Sequence, residues 1–276
     1  MFSDDQTRDL LDWHIAMGID ETISDLPVDS FTQPKPAAVL EQGTPHDLAS
    51  APQLNALTAR TPATSRPVIV SPAAPPPSSE ASVRTATKLA AAANTFDDLQ
   101  TALLGFDGCA LKRTATSMVV ADGNPAGRVL FIGEAPGAEE DRQGKPFVGP
   151  SGQLLDKMLK SICLDRSQVL ISNTVFWRPP GNRTPTTTEV ATCLPFVQRM
   201  VELMMPEVIV PLGGPAAKSL LEQTAGIGKL RGRWFTYTTV NLSAPIAVTP
   251  LFHPAYLLRT PAQKRPTWRD LLMIRQ

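Results

Sequence analysis

The sequence predicts an α/β fold: a three-layer α/β/α domain around a central four-stranded, mainly parallel sheet, preceded by a disordered Pro-rich arm. Three observations carry this expectation. Short apolar runs alternate with amphipathic segments, the order in which strands and crossover helices build a parallel sheet covered on both faces. Prolines crowd the stretch from Leu26 to Ser79, in runs such as Pro72-Ala-Ala-Pro-Pro-Pro, and a segment of that composition buries too little apolar surface to offset its ordering entropy. Beyond it, the remaining chain has ordinary single-domain length.

Taken in order, Ser3 is a candidate N-cap, and Leu10, Leu11, Trp13 and Met17 recur at roughly helical spacing. A short amphipathic helix is therefore expected within 1–25, a Pro/Ala-rich linker over 26–81 and the folded domain over 82–276. The first helix reads either as a loosely attached structural element or as a docking helix for a protein partner. From Ser82 to Ala102 apolar residues recur at helical intervals, with Asn94 or Thr95 marking a break between two helices. Val129 to Ile132, closed by Gly133, reads as a buried strand. A helix over Ser151–Leu164, capped by Ser151, leads to a second strand over Gln168–Val175. Thr188–Met205 is the next helix, Glu207–Gly213 the third strand and Pro215–Gln223 its helix. A fourth strand near Ile246–Pro250 and a closing helix over Lys264–Ile274 complete the pattern.

The formal charge is zero, but unevenly spread: residues 1–127 hold 8 Lys+Arg against 15 Asp+Glu, net −7, and residues 128–276 hold 18 against 11, net +7. A domain of that sign suits a polyanionic partner and is equally compatible with plain solubility. No basic leader followed by an apolar stretch opens the chain and no window has the apolar length of a membrane span, so a cytoplasmic protein without a membrane partner is expected. Cys109, Cys163 and Cys193 are odd in number and irregularly spaced, which argues against a disulfide framework.

In a parallel sheet the site forms on loops at the carboxyl ends of the strands. The first such loop is Gly133-Glu-Ala-Pro-Gly-Ala-Glu-Glu-Asp, followed by Pro146-Phe-Val-Gly-Pro-Ser-Gly-Gln-Leu-Leu; the second begins at Asn173 and runs into Arg178-Pro-Pro-Gly-Asn-Arg-Thr-Pro; the fourth carries His253-Pro-Ala-Tyr-Leu-Leu-Arg. Neither a dinucleotide fingerprint nor a P-loop is present, which removes the reading of an unrelated nucleotide-binding enzyme. Glu140 and Asp141 read as loop braces, while Arg178, Asn182 and Arg183 suit phosphate contact and loop anchoring equally.

Together with Leu230-Arg-Gly and Trp268-Arg-Asp-Leu, these segments resemble the family 4 uracil-DNA glycosylases, from about Phe106 to Leu272. The resemblance implies a uracil-DNA glycosylase-like fold and an enzyme of base excision repair that flips uracil from DNA, hydrolyses its N-glycosidic bond and leaves an abasic site. Glu134 would position the attacking water, and His253 would donate toward O2 of the leaving base. Phe147 would stack on uracil and Asn173 would read its edge, with Gly133 and Ala135 bordering the base. Leu257 or Leu258 would supply the wedge that replaces the flipped base, and Arg178, Arg183, Arg231 and Arg259 would contact phosphates. Uracil-containing DNA is the implied partner, and a monomer is expected.

The family's usual 4Fe-4S cluster needs four cysteines, and the corresponding positions read Phe106, Cys109, Trp177 and Cys193. Two ligands are replaced by large aromatic residues, so no cofactor is expected and Cys109 and Cys193 become small buried residues. The alternative function is a non-catalytic module that binds uracil or damaged DNA and kept the fold after losing the cluster. The complete set of Glu134, Phe147, Asn173 and His253 favours an active enzyme.

Overall fold

The computed structural model describes residues 79–275. The amphipathic helix expected within 1–25 and the linker expected over 26–81 lie outside the described residues, except that Ser79, Glu80 and Ala81 open the first described helix, α1 (Ser79–Ala92). Thr95 then caps α2 (Phe96–Leu104), accepting from the Asp98 amide at 3.1 Å while Asp98 Oδ2 accepts from the Thr95 amide at 3.0 Å. That reciprocal capping box is why the apolar stripe breaks at Thr95.

The strands are β1 (Ala121–Gly123), β2 (Val129–Gly133), β3 (Val169–Asn173), β4 (Val208–Pro211), β5 (Phe235–Tyr237) and β6 (Ile246–Val248), ordered β1-β3-β2-β4-β6-β5. The four anticipated strands, β2, β3, β4 and β6, form the parallel centre. β1 and β5 add antiparallel edges that the sequence pattern did not announce. In the β2–β3 ladder the register ends with Gly133 opposite Asn173.

Between the strands along the chain lie α3 (Ala138–Gln143), α4 (Pro150–Ser161), α5 (Thr187–Met204), α6 (Gly214–Leu221) and α7 (Ile227–Leu230), while α8 (Pro254–Arg259) and α9 (Lys264–Arg275) follow β6. The pleat divides the core. Leu130 and Ile132 of β2 point into one apolar cluster with Leu99, Leu103, Phe196 and Val197 from α2 and α5. Val129 and Phe131 point into the other, with Leu155, Leu159, Leu257 and Leu271 from α4, α8 and α9. Alternate residues of one strand thus meet opposite helix layers. The cap of α4 differs from expectation: Gly149 is the N-cap, Pro150 fills the first helical position, and Ser151 already lies inside the helix. Among the described residues, no helix is long and apolar enough to cross a membrane.

Candidate active site

Because β2, β3, β4 and β6 run parallel, their carboxyl ends share one edge of the sheet, and a cleft of about 880 Å³ opens there. Its walls include Glu134 and Ala135 after β2, Asn173 at the end of β3, Gly213 and Gly214 after β4, and Phe252 and His253 after β6. Phe147, Tyr256 and Arg259 also line it. Four loops remote in sequence therefore contribute to one cavity, as expected at the carboxyl edge of such a sheet.

Asn173 is 1% exposed, and its Nδ2 is a buried donor without a hydrogen-bond partner among the described residues. An unpaired buried amide is costly and calls for a partner outside the protein. Gly133 lets Asn173 and Phe147 close together: a Cβ there would lie 2.4 Å from Asn173 Oδ1 and 2.6 Å from the Phe147 ring.

Phe147 is 4% exposed, and its ring centroid lies 5.6 Å from that of His253, at an interplanar angle of 32°. Its backbone has φ +54°, a conformation that a bulky residue holds only under constraint. The constraint comes from several directions. Arg166 donates from Nη2 to the Phe147 carbonyl and from Nη1 to the Pro146 carbonyl at 3.1 Å, while Asp122 and Asp156 fix its guanidinium. Glu140 Oε1 accepts from the Val148 and Gly149 amides, both at 2.9 Å, and Oε2 accepts from Gly137 at 3.1 Å. Gly152 allows α4 to press on the loop, since a Cβ there would lie 1.7 Å from the Phe147 carbonyl oxygen. Glu140 is thus the brace anticipated. Arg166 sits in an irregular connection where no spacing signals its role.

His253 caps α8: its Nδ1 accepts from the Ala255 amide at 3.1 Å, and Pro254 at the first helical position has no N–H to satisfy. That bond fixes the tautomer, leaving the proton on Nε2. Burial pushes the His253 pKa down to about 4, assisted by the Arg259 charge and opposed by Glu140, so the ring is neutral at ordinary pH. Glu134 has the opposite shift: burial raises its carboxyl above the usual range, partly countered by a hydrogen bond from Thr184. The Glu134 backbone is anchored by the Thr174 hydroxyl, which donates to its carbonyl at 2.7 Å.

Leu257 is 1% exposed and packs in the core with α4 and α9, so it is no wedge; Leu258 on the same helix is 42% exposed. Arg231 is not a free phosphate ligand either, because it pairs with Asp270 at 2.6 Å and stacks over Phe252 at 5.1 Å. Arg183 donates twice to Glu189, at 2.7 and 2.9 Å, and thereby anchors its loop. Arg178 donates from Nε to Asn182 at 2.7 Å, and Arg259 is exposed at the cleft.

The four positions that would ligate a cluster do not fit one. Phe106 and Trp177 are 1% and 2% exposed; Phe106 packs on Phe196 with centroids 5.2 Å apart, and Trp177 meets Phe176 edge-on at 6.2 Å. The remaining pair is close, with Cys193 Sγ donating to Cys109 Sγ at 3.9 Å. This contact and burial hold the Cys193 thiol well above its usual pKa. Two thiols and two rings do not supply four thiolates.

Residues 120–272, just over half of the chain, match the profile of the uracil DNA glycosylase superfamily. A protein of Sulfurisphaera tokodaii named Type-4 uracil-DNA glycosylase is 38% identical over 61% of this chain and 78% of its own length. Proteins of the same name from Thermotoga maritima and Pyrobaculum aerophilum are 41% and 36% identical, over 55% and 60% of this chain and 77% and 86% of their own lengths. By profile and by relatives, this chain belongs to the uracil-DNA glycosylase superfamily, in its type-4 branch.

Proposed function

We propose that the protein is a monofunctional uracil-DNA glycosylase that opens base excision repair by hydrolysing the N-glycosidic bond of an extruded uracil. The observation that carries this reading is the unpartnered Nδ2 of Asn173, buried beside Phe147 in a cleft that also holds a neutral His253. Uracil offers an acceptor at O4 beside a donor at N3, and one Asn amide answers both; cytosine reverses the pattern and leaves the amide mismatched. Phe147 stacks on the ring, a contact worth about 1–3 kcal/mol per base.

As the C1′–N1 bond breaks, its electron pair moves into the base and charge gathers on O2. His253 Nε2–H donates to that oxygen without transferring its proton, a role suited to a ring that titrates only near pH 4. Glu134 orients water toward C1′ and takes the proton that the water loses as its oxygen bonds to the sugar. The base departs as its anion and takes up a proton from solvent, Glu134 releases to solvent the proton it accepted, and the net products are uracil and an abasic site. Leu258 fills the gap left in the base stack, while Arg178 and Arg259 contact flanking phosphates.

The protein, incubated with a single-uracil oligonucleotide and then with alkali, is expected to yield a cut at the uracil. His253→Ala is expected to lower kcat by about 10²–10³-fold, the usual effect of removing one donor to a developing oxyanion. Asn173→Asp is expected to abolish most uracil excision, since its ionised side chain cannot donate to O4. A wild type that binds the oligonucleotide but never yields an abasic site would instead support the non-catalytic module.

A further inference from the structure

On the side of α8 away from the cleft lies a second hollow, of about 380 Å³, set between α4, α8 and α9. Met158 and Leu257 contribute to its apolar floor, and Lys157, Lys264, Arg265 and Trp268 stand around it. Among the described residues no acidic side chain lines it, and none of their ion pairs uses these three cations. Trp268 is 49% exposed, although it lies on the helix whose Leu271 and Ile274 are buried. An exposed indole amid unpaired cations over an apolar floor has the composition of a surface that stacks a base and holds its phosphates.

The hollow and the cleft flank the same helix, α8. Ala255, Tyr256 and Arg259 of α8 face the cleft, Leu257 faces the hollow, and exposed Leu258 lies on the same helix. A helix is about 10 Å across with its side chains, and bases stack about 3.4 Å apart, so a strand leaving the cleft crosses α8 in roughly three nucleotides.

We infer that this hollow is a second DNA subsite, in which Trp268 stacks an unpaired base a few nucleotides from the uracil while Lys157, Lys264 and Arg265 hold the adjoining phosphates. The inference rests on the reading of the cleft as a uracil site. It adds a sequence-tolerant grip on single-stranded DNA, since stacking and phosphate contacts read no base edge.

The test uses the full chain and single-stranded oligonucleotides carrying one uracil, with flanks lengthened stepwise on either side, and measures both Kd by fluorescence anisotropy and uracil release. Trp268→Ala is expected to raise Kd and KM about tenfold once the flank on one side passes roughly three nucleotides, with the shortest oligonucleotides unaffected. Trp268→Phe is expected to recover most of the loss. Lys264→Ala with Arg265→Ala is expected to reduce the slope of log Kd against log salt by about 0.7 per lost phosphate contact. A penalty independent of flank length, or none at any length, overturns the subsite; the latter result would suit a hollow that serves a protein partner. If wild type releases no uracil, the cleft reading fails, while the dependence of Kd on flank length still tests the subsite.

Discussion

Glu134 and His253 are ionisable groups in one cleft whose pKa values move in opposite directions because burial disfavours charge in both. For His253 the neutral form is retained, with a pKa of about 4, so the ring keeps its Nε2 proton and its neutrality across the physiological range. For Glu134 the shift is upward, so the carboxylate is lost at a higher pH than for a solvated glutamate. The acid limb of the pH–rate profile is therefore expected to follow Glu134, with activity falling as pH drops through its raised pKa. Glu134→Gln is expected to lower kcat by about 10²–10⁴-fold and to flatten that limb in the residual rate. A limb unchanged by the substitution would assign the titration to another group. These two residues were legible as types at strand ends. Their protonation was not, since it depends on an amide that meets Nδ1 and on burial that only the folded chain supplies.

At the scale of elements, the strands that could be read are those whose residues are buried on both faces, because an uninterrupted apolar run marks them. β1, reading Ala-Asp-Gly, and β5, reading Phe-Thr-Tyr, are three-residue edges without such a run, and pairing to a neighbour is what makes them strands. α8 falls in a segment read only as a loop after the fourth strand, since its six residues are too few for a helical period to emerge. Within the site, Phe147 was legible and the means of holding it was not. Arg166 reaches the Phe147 loop through contacts that bring β1 and α4 together, and nothing local to Arg166 announces them. Arg166→Met is expected to raise KM about tenfold with kcat little changed, a loss of about 1.4 kcal/mol in binding. Arg166→Lys is expected to rescue in part, and equal effects on kcat and KM would mark a general loss of fold.

For the whole molecule, the division into two helix layers around one sheet followed from the alternation of apolar runs and amphipathic segments, and the described residues have that arrangement. The net +7 of residues 128–276, which suits a polyanion and plain solubility equally, includes Lys157, Lys264 and Arg265 at α4 and α9. The buried aromatic residues Phe106 and Trp177 give this scale its prediction. The purified protein is expected to be colourless, and Trp177→Ala is expected to cost about 3–5 kcal/mol in a denaturant titration, because the ring fills volume in the first core cluster. A brown preparation, or a Trp177→Ala variant as stable as wild type, would remove that account.

The last rung of the β2–β3 ladder sets Gly133 against Asn173, and side chains alternate between the two faces of a strand. If β3 slid by a single position, the amide would turn from the cleft toward a helix layer, and a neighbouring residue of the wrong chemistry would take its place. With Asn173 in its proposed role, base discrimination depends on backbone alignment as much as on one asparagine, and any change that relaxes the mating of these two strands is expected to blur which pyrimidine is accepted before it unfolds the protein.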